Sequence, residues 1–215
     1  MRTIAHLSDL HFGRVDETLI EPLVACVNRI GPDLIAVSGD LTQRARSAQF
    51  REARAFLDRL AAPRVVVPGN HDVPLHNVVT RSLLPLVRYR RHVSDDVEPF
   101  YADDAIAVLG INTARSLTFK GGRINRGQLE RMRTQFAPLG ETVTKIIVTH
   151  HPLDLPEGHG ARDLVGRARL AMTAFAECGV DVLLAGHLHV GHSGNTATRY
   201  RIAGHAALVV QAGTA

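Results

Sequence analysis

The chain has 215 residues, 45% of them hydrophobic, which is enough to bury the core of one domain spanning 1–215. Its formal net charge of +4 is spread without a basic stripe, which disfavours nucleic acid as a partner, and no apolar run is long enough for a membrane helix. The first strand-like run starts at Thr3, so we expect no signal peptide, and Cys26 and Cys178 predict reduced core residues of a cytoplasmic protein.

Short apolar runs alternate with helix-period stretches along the chain. Strands are predicted at 4–7, 34–37, 65–67, 106–111, 146–148 and 182–184, with two more at 200–202 and 208–210. Helices are predicted at 20–30, 50–60, 126–136 and 163–178. Residues 74–103 fit no single period and are interpreted as a partly helical excursion over the active face. The alternation predicts α/β layering with mainly parallel pairing in at least one sheet.

Polar side chains follow five of the predicted strands, in "HLSDLH", "VSGD", "PGNHD", "VTHHP" and "LAGHLH". In open α/β sheets, ligands bind outside the carboxyl ends of the strands. Each group alone has an ordinary interpretation as a turn residue, a cap or a hydrogen-bonded histidine. Five strand ends that all carry such groups favour one shared site. The candidates are Asp9, His11, Asp40, Asn70, His71, Asp72, His150, His151, His187 and His189.

The donor set points to transition metals. Imidazole and carboxylate groups without thiolates suit manganese, iron, zinc or nickel rather than a structural zinc site. In an extended segment, residues two apart point the same way, so "DLH" and "HLH" are expected to direct both members of each pair to one region. The candidates exceed what one ion can use. This predicts two ions that share a bridging carboxylate and clamp a phosphoryl group.

The motifs "DLH", "GD", "GNHD", "HHP" and "GHLH", in this order, resemble the signature of the calcineurin-like metallophosphoesterases. The likeness is closest to bacterial class III cyclic-nucleotide-phosphodiesterase-like members, and it runs from Asp9 to His189. It implies an α/β fold, a four-layer α/β/β/α sandwich of two mixed β-sheets flanked by helices. Relatives carry further strands or a cap after the last histidine pair, whereas 26 residues follow His189 here. We therefore expect a minimal or truncated form, with the oligomeric state and the pocket wall left open.

The resemblance also implies the roles of individual residues. Asp9, His11 and His189 would hold one metal ion. Asn70, His150 and His187 would hold the other, and Asp40 would bridge the two. His71 would act as an acid or charge stabiliser beside the second ion, with Asp72 orienting its ring. Manganese and iron are favoured as the metals, and zinc, nickel and cobalt are the alternatives.

The implied function is hydrolysis of phosphodiesters, including cyclic nucleotides. A metal-bound hydroxide would attack phosphorus while His71 assists departure of the leaving oxygen. Diesters are preferred because the residues beside the ligands add no cation. The alternatives are a phosphomonoesterase or a nuclease of the same superfamily, or a non-catalytic binding module on this fold. The expected partner is a small phosphoester rather than a membrane, and a homo-oligomer is left open.

Other polar residues have weaker claims to the site. His151 and His192 are alternatives for a supporting or substrate-binding role. Arg115, Lys120 and Arg123 are candidates for a phosphate contact, although a solvated loop is the favoured interpretation. His6 is interpreted as a core histidine with a partner. Surface or loop positions are predicted for His76, His92, His159 and His205.

Overall fold

The computed structural model describes residues 1–75, 78–116 and 121–215 of the chain. Within these residues the strands are β1 (Ile4–Leu7), β2 (Leu34–Val37), β3 (Arg64–Val66), β4 (Phe100–Ala102), β5 (Ile106–Gly110), β6 (Thr144–Val148), β7 (Val182–Ala185), β8 (His192–Asn195) and β9 (Leu208–Gln211). The α-helices are α1 (Ile20–Ile30), α2 (Ser47–Leu57), α3 (Val78–Leu83), α4 (Val87–His92), α5 (Arg126–Phe136), α6 (Ala168–Glu177) and α7 (Ala197–Tyr200).

The strands form two sheets of different character. The smaller sheet has the order β1-β2-β3 and is parallel throughout. The larger sheet has the order β4-β5-β6-β7-β9-β8 and is mixed, because its edge strands β4 and β8 run antiparallel to their neighbours. The prediction of two sheets is confirmed. The expected mixed pairing holds only for the larger one among the described residues.

The two sheets pack against each other, with helices outside. On β2, Leu34 and Ala36 face the larger sheet, where they join a buried cluster with Val108 of β5 and Val148 of β6. The alternate residue Ile35 faces the opposite way, toward α1 and α2. Burying a side chain of this size stabilises the fold by about 1.5–3 kcal/mol. Helices α5 and α6 cover the outer face of the larger sheet, so the predicted four-layer arrangement is confirmed.

Local signals explain why two helices match their predicted bounds. Helix α5 begins with a capping box, in which the Asn125 side chain accepts a hydrogen bond from the Gln128 N–H at 2.9 Å and the Gln128 side chain accepts from the Asn125 N–H at 2.8 Å. Helix α1 ends at Gly31, whose φ of 59° is left-handed.

The segment 74–103 is partly helical, as predicted, but its helix α4 does not lie over the active face. It contains α3, α4 and β4, and helix α4 packs into the outer helical layer, where the rings of Phe50 and Tyr89 meet at 6.3 Å. The Tyr89 hydroxyl donates to the Val66 carbonyl oxygen at 2.9 Å, so this helix lies on the helical side of the smaller sheet rather than over the active face.

The C-terminal part also contains corrections. The strand predicted at 200–202 is wrong, because Tyr200 ends α7 and its buried hydroxyl donates to the Leu153 carbonyl oxygen. The predicted helix at 163–178 begins later, at Ala168, after a short 3₁₀ turn at Ala161–Asp163.

Two expectations about the whole chain can be compared with the described residues. Every helix among them is too short or too polar to span a bilayer. Cys26 and Cys178 are unpaired, and both are half-buried rather than fully in the core.

Candidate metal centre

The carboxyl ends of five parallel strands bring the predicted ligands together. Asp9 follows β1, Asp40 follows β2 and Asn70 follows β3 in the smaller sheet. His150 follows β6 and the pair His187 and His189 follows β7 in the larger sheet. Because the sheets pack face to face, these strand ends meet at one edge of the sandwich.

The ligand pairs do not lie on extended backbone. The φ angles of Asp9, His11 and Asp40 are 54°, 48° and 53°, and those of His187 and His189 are 75° and 58°. The prediction that "DLH" and "HLH" converge as extended segments is therefore wrong, since each pair leaves its strand through left-handed turns. Non-glycine residues in this region cost about 1–3 kcal/mol each and cluster at functional sites. The side chains of each pair do meet in one region, but the loops that carry them have strained, left-handed backbone.

The first cluster consists of Asp9, His11 and His189. The Oδ1 atom of Asp9 lies 3.7 Å from His11 Nε2 and 3.3 Å from His189 Nε2, and these two nitrogens are 3.3 Å apart. Oδ2 of Asp9 is already engaged, accepting from the Ser8 hydroxyl at 2.6 Å and from the His187 N–H at 2.9 Å. Among the described residues, Oδ1 is buried with no hydrogen-bond partner. A buried anionic oxygen facing two imidazole nitrogens fits a cation.

The second cluster centres on His150. Its Nε2 atom lies 3.0 Å from Asn70 Oδ1, 3.2 Å from His187 Nδ1 and 3.3 Å from Asp40 Oδ2. Its Nδ1–H donates to the Ser38 carbonyl oxygen at 2.8 Å. Because a carbonyl only accepts, this bond places the hydrogen of the neutral ring on Nδ1 and presents the Nε2 lone pair to the cluster. Such outer hydrogen bonds are typical of metal-ligating histidines.

Asp40 lies against both clusters. Ligand atoms of Asp9, Asp40 and His150 fall within 4.8 Å of one another, and Asp40 is 1% exposed. Its Oδ1 atom accepts from the His71 N–H at 2.8 Å. A Cβ at Gly69 would lie 2.0 Å from the same oxygen, so only glycine permits this approach.

Burial and mutual charge shift the proton affinities of these groups. Burial opposes ionisation of Asp40, but the adjacent His150 and the hydrogen bonds to Asp40 hold its pKa below the ordinary value. Burial alone would lower the pKa of His150, yet the charge of Asp40 raises it to about 9. Burial, followed by repulsion from His150, lowers the pKa of His187 to about 3. The metal-free site thus carries a protonated His150 that a metal ion would have to deprotonate.

The predicted relation between His71 and Asp72 is wrong. The Nδ1–H of His71 donates to the Gln43 carbonyl oxygen at 2.9 Å, so a backbone group orients the ring. The carboxylate of Asp72 accepts from the N–H groups of Gly69, Leu41 and Thr42 at 2.9, 3.1 and 2.9 Å. Asp72 therefore ties the loop that carries Asn70 and His71 to the loop that carries Asp40.

The His71 ring lies at the edge of the first cluster. Its centroid is 4.9 Å from that of His11 in an edge-to-face arrangement, and the residue is half-buried. It can therefore reach a substrate bound beside the cluster.

His151 lies in the site itself, although the sequence indicated it only as an alternative for a supporting role. It is 1% exposed, its ring centroid is 4.6 Å from that of His187, and its Nδ1 is 2.8 Å from Thr113 Oγ1. Nitrogens of His150, His151 and His187 converge within 4.8 Å. His6 has the predicted partner, with its Nε2 2.9 Å from Ser38 Oγ, but it is half-buried rather than fully in the core.

The two cationic candidates among the described residues, Arg115 and Arg123, do not join the clusters. Arg115 directs its guanidinium to the Arg123 carbonyl oxygen, with Nε at 3.0 Å, and to the Gln128 side chain at 3.2 Å. The Arg123 residue itself is exposed. Lys120, another candidate, lies outside the described residues.

The remaining histidines among the described residues are not part of the ligand clusters. His192 begins the edge strand β8, and His92 ends α4, with its ring stacked on Phe50 at 6.3 Å. His159 and His205 are half-buried residues outside the regular strands and helices. His76 lies outside the described residues.

Several contributors were missed in the sequence. Ser8 and Thr214 hold Asp9 and His189, the latter through a 2.9 Å contact with His189 Nδ1. Ser8 adjoins Asp9 in "HLSD", so its role could have been anticipated. No local signal connects Thr214 with a residue 25 positions away.

A family model described as calcineurin-like phosphoesterase matches residues 2–191 of the chain. The chain is 28% identical over 166 residues to the glycerophosphodiester phosphodiesterase GpdQ of Enterobacter lignolyticus, and the match covers 71% of this chain and 58% of that relative. It is 26% identical over 205 residues to the 3′,5′-cyclic adenosine monophosphate phosphodiesterase CpdA of Escherichia coli, covering 86% of this chain and 69% of CpdA. The chain therefore spans less than two thirds of the length of GpdQ.

A solved structure shows the same fold. A dimetal phosphatase from Danio rerio superposes with a TM-score of 0.69 at 13% identity, covering 99% of this chain and 87% of the other. At this identity the likeness concerns the architecture alone.

Proposed function

The chain belongs to the calcineurin-like phosphoesterase family, and from this membership we propose that it is a metal-dependent hydrolase of phosphodiesters. The observation that carries the proposal is the meeting of five strand ends in two adjoining clusters of carboxylate, amide and imidazole groups. The relatives GpdQ and CpdA are named as phosphodiesterases, which supports the same reaction class.

Two ions are assigned to the two clusters. Asp9, His11 and His189 would hold the first ion. Asn70, His150 and His187 would hold the second, and Asp40 would be shared by both. The support is chemical. Asp9 Oδ1 is buried without a hydrogen-bond partner among the described residues. His150, once deprotonated, would direct the lone pair of its Nε2 into the space that it shares with oxygens of Asn70 and Asp40. When bound, such ions lower the pKa of a water molecule and neutralise charge on phosphate oxygens.

His71 would assist the leaving group. Its Nδ1–H is held by the Gln43 carbonyl oxygen, so Nε2 is the atom available to a substrate. In the protonated ring, Nε2–H can donate to the oxygen that departs from phosphorus. Contact with His11 keeps the ring at the edge of the cluster, where that oxygen would emerge.

The surroundings favour diesters over monoesters. A monoester carries an extra negative charge, which enzymes commonly balance with additional cations. Among the described residues that line the cavity beside His71, Arg14 alone carries a permanent positive charge. The neutral amide of Asn70 further limits the negative charge of the site, so that a phosphate can still approach.

The metals are proposed to be manganese and iron. Carboxylate, imidazole and amide ligands without thiolate suit these ions, and both cysteines lie outside the clusters, Cys26 on α1 and Cys178 after α6. A cytoplasmic location is proposed because the two thiols are unpaired.

The test compares two chromogenic substrates with the same leaving group. With saturating Mn²⁺, we expect a higher kcat/KM on bis-p-nitrophenyl phosphate than on p-nitrophenyl phosphate. The variant Asp40→Asn should hydrolyse neither substrate. A higher kcat/KM on the monoester would contradict the proposal and indicate a phosphatase.

A further inference from the structure

Three arginines from separate segments of the chain, Arg115, Arg123 and Arg167, lie close together and are called here the arginine cluster. The Arg115 guanidinium donates to the Arg123 carbonyl oxygen, from Nε at 3.0 Å and also from Nη2. Arg123 forms a parallel bridge with Gly166, the residue before Arg167. A Cβ at Gly166 would lie 3.3 Å from Arg123 Cγ, so the aliphatic part of Arg123 packs on this glycine.

The arginine cluster adjoins the candidate metal centre through His151. The Arg123 N–H donates to the Thr113 carbonyl oxygen at 3.0 Å, and Thr113 Oγ1 lies 2.8 Å from His151 Nδ1. A Cβ at Gly122 would lie 2.2 Å from the same nitrogen, so only glycine lets this loop approach the ring so closely. The Gly166 N–H donates to the Gly122 carbonyl oxygen at 2.7 Å. The backbone that carries Arg123 is thus fixed against a residue of the centre.

The arginine cluster forms no ion pair with a carboxylate within the described part of the chain. On the adjoining helix α5, by contrast, Arg131 pairs with Glu98, and Arg133 pairs with Glu177 at 2.7 Å. Residues 105–129 contain no aspartate or glutamate, so the local sequence supplies no counterion to two of the three arginines.

The charges of the arginine cluster act on one another. Burial is the largest cause of a lowered pKa of Arg115, and the charge of Glu98 opposes it. The charges of Arg123 and Arg167 lower it further. Asp163, the acid nearest to Arg167 in sequence, uses its Oδ2 atom to cap its own 3₁₀ turn. Like charges held together in this way are stabilised by an anion.

Hydrogen-bond donors of the arginine cluster remain for such an anion. Arg115 uses its Nε and Nη2 atoms, and its Nη1 has no hydrogen-bond partner among the described residues. Arg123 and Arg167 are exposed, and in the described ranges neither side chain donates a hydrogen bond. Arg167 has a left-handed φ of 66°, a strained conformation that is frequent at functional sites. Guanidinium groups match the oxygens of a phosphate in pairs.

We propose that the arginine cluster is a second oxyanion subsite, which binds a phosphate group other than the one hydrolysed at the metal centre. The phosphate is either joined to the substrate or free in solution, and the chemistry of recognition is the same. Its assignment to a substrate rests on the proposed phosphodiesterase function. A terminal phosphate has three accepting oxygens, enough for three guanidinium groups, whereas a carboxylate has two.

The first experiment detects binding without turnover. Inorganic phosphate is titrated into the isotope-labelled protein loaded with zinc, which is diamagnetic, and the arginine Nε–H signals are followed by NMR. The three signals of the arginine cluster, assigned by single Arg→Lys variants, are expected to shift together with a dissociation constant of about 1 mM. The same shifts are expected in the metal-free protein, because the arginine cluster contains no metal ligand.

Two control arginines lie outside the arginine cluster. Arg29 is exposed on α1, and Arg201 is exposed with a left-handed φ of 49°, which matches the backbone of Arg167. Their signals should not move. Equal shifts in these controls, no shift in the arginine cluster, or shifts that vanish when the metal is removed would each overturn the inference.

The second experiment identifies the source of the phosphate. Thymidine 5′-(p-nitrophenyl phosphate) and its 3′-phosphorylated form share the scissile diester and the leaving group and differ by one phosphate. With Mn²⁺, a substrate-borne phosphate is expected to lower KM about tenfold. The double variant Arg123→Gln/Arg167→Gln should reduce this ratio to about two, and the control Arg29→Gln/Arg201→Gln should retain it.

The two experiments fail separately. Equal KM values for the two esters, together with the NMR shifts, would assign the subsite to free phosphate. A KM ratio that the double variant at Arg123 and Arg167 leaves unchanged would overturn a substrate-binding role of the arginine cluster. Failure to hydrolyse either ester would count against the proposed function, while the NMR titration would still decide whether the arginine cluster binds phosphate.

Discussion

Replacing Asp72 with asparagine tests whether this residue supports the fold of the loops or the chemistry of His71. Asp72 is 1% exposed, and its two oxygens accept three backbone N–H bonds and the Thr42 hydroxyl at 3.0 Å. Asparagine has almost the same shape but only one accepting oxygen. Its amino group must therefore face either the Thr42 N–H or the N–H groups of Gly69 and Leu41.

The expected loss of stability in Asp72→Asn follows from these contacts. In the better orientation, the amide keeps the bonds from Gly69 and Leu41 and leaves the Thr42 N–H unsatisfied, at about 1–3 kcal/mol. The two retained bonds lose their charge assistance, which weakens each by about half. We expect Asp72→Asn to lower the free energy of unfolding by about 2–4 kcal/mol.

Urea unfolding of the metal-free protein provides the measurement. It should be made at about pH 8, since burial and the charge of Asp40 raise the pKa of Asp72 to about 6 and the carboxylate must be ionised for the comparison. Asp95→Asn, at an exposed position, serves as the control and should change the free energy of unfolding by less than about 0.5 kcal/mol.

The opposite outcome is equally specific. If Asp72→Asn unfolds like the wild type but loses as much turnover as His71→Ala, the residue acts through the His71 ring. The hydrogen bond from His71 to Gln43 would then not be the one that orients the ring, and a purely structural role for Asp72 would be refuted.

Three further predictions concern the centre itself. Asp40→Ala should reduce the manganese content, measured by elemental analysis, from about two ions per chain to below one, while the control Asp95→Ala retains both ions. Two tightly held ions in Asp40→Ala would show that Asp40 is not a ligand shared by the two ions. His71→Ala should keep its metals yet lose about 10²- to 10⁴-fold in turnover, with a smaller loss for substrates that have good leaving groups. Equal losses for good and poor leaving groups, or a similar loss in the control His205→Ala, would contradict a role of His71 in protonating the leaving oxygen. The metal-free protein should lose stability as the pH rises from 6.5 to about 9. The reason is that the folded-state pKa of His150 is raised above its ordinary value, so that the protonated His150 stabilises the fold fully only below pH 6.5. A stability that rises across this pH window in thermal unfolding would contradict the raised pKa of His150.

The framework of the fold was predictable where burial is two-sided. The run at 34–37 matches β2 because all four residues are buried, alternate residues pack on opposite faces and no polar position interrupts the pattern. Edge elements were harder to predict. Strand β8 has the sequence HSGN and is made by antiparallel pairing with β9, a tertiary contact that overrides weak local propensity.

The candidate centre was predictable in membership but not in geometry. Parallel strands collect their carboxyl ends at one edge, so Asp9, Asp40 and His150 could be expected to meet. The bond from His71 to Gln43 joins residues 28 positions apart through a backbone carbonyl, which has no sequence signature. A side chain that adjoins a proposed catalytic residue in sequence, as Asp72 adjoins His71, is easily mistaken for its partner.

The left-handed backbone of the candidate ligand residues has a consequence for the evolution of this protein. At Asp9, His11, Asp40, His187 and His189, glycine would relieve conformational strain that the native side chains impose. Together the five positions carry several kcal/mol, a sizeable part of the net stability of an ordinary domain. Asp9 and Asp40 also accept backbone N–H bonds from His187 and His71, which offsets their strain. Selection for heat resistance alone would therefore favour glycine at His11, His187 and His189, and would remove the histidine donors of the centre while stabilising the fold. The backbone strain at these three histidines therefore opposes the donor set that the proposed function needs.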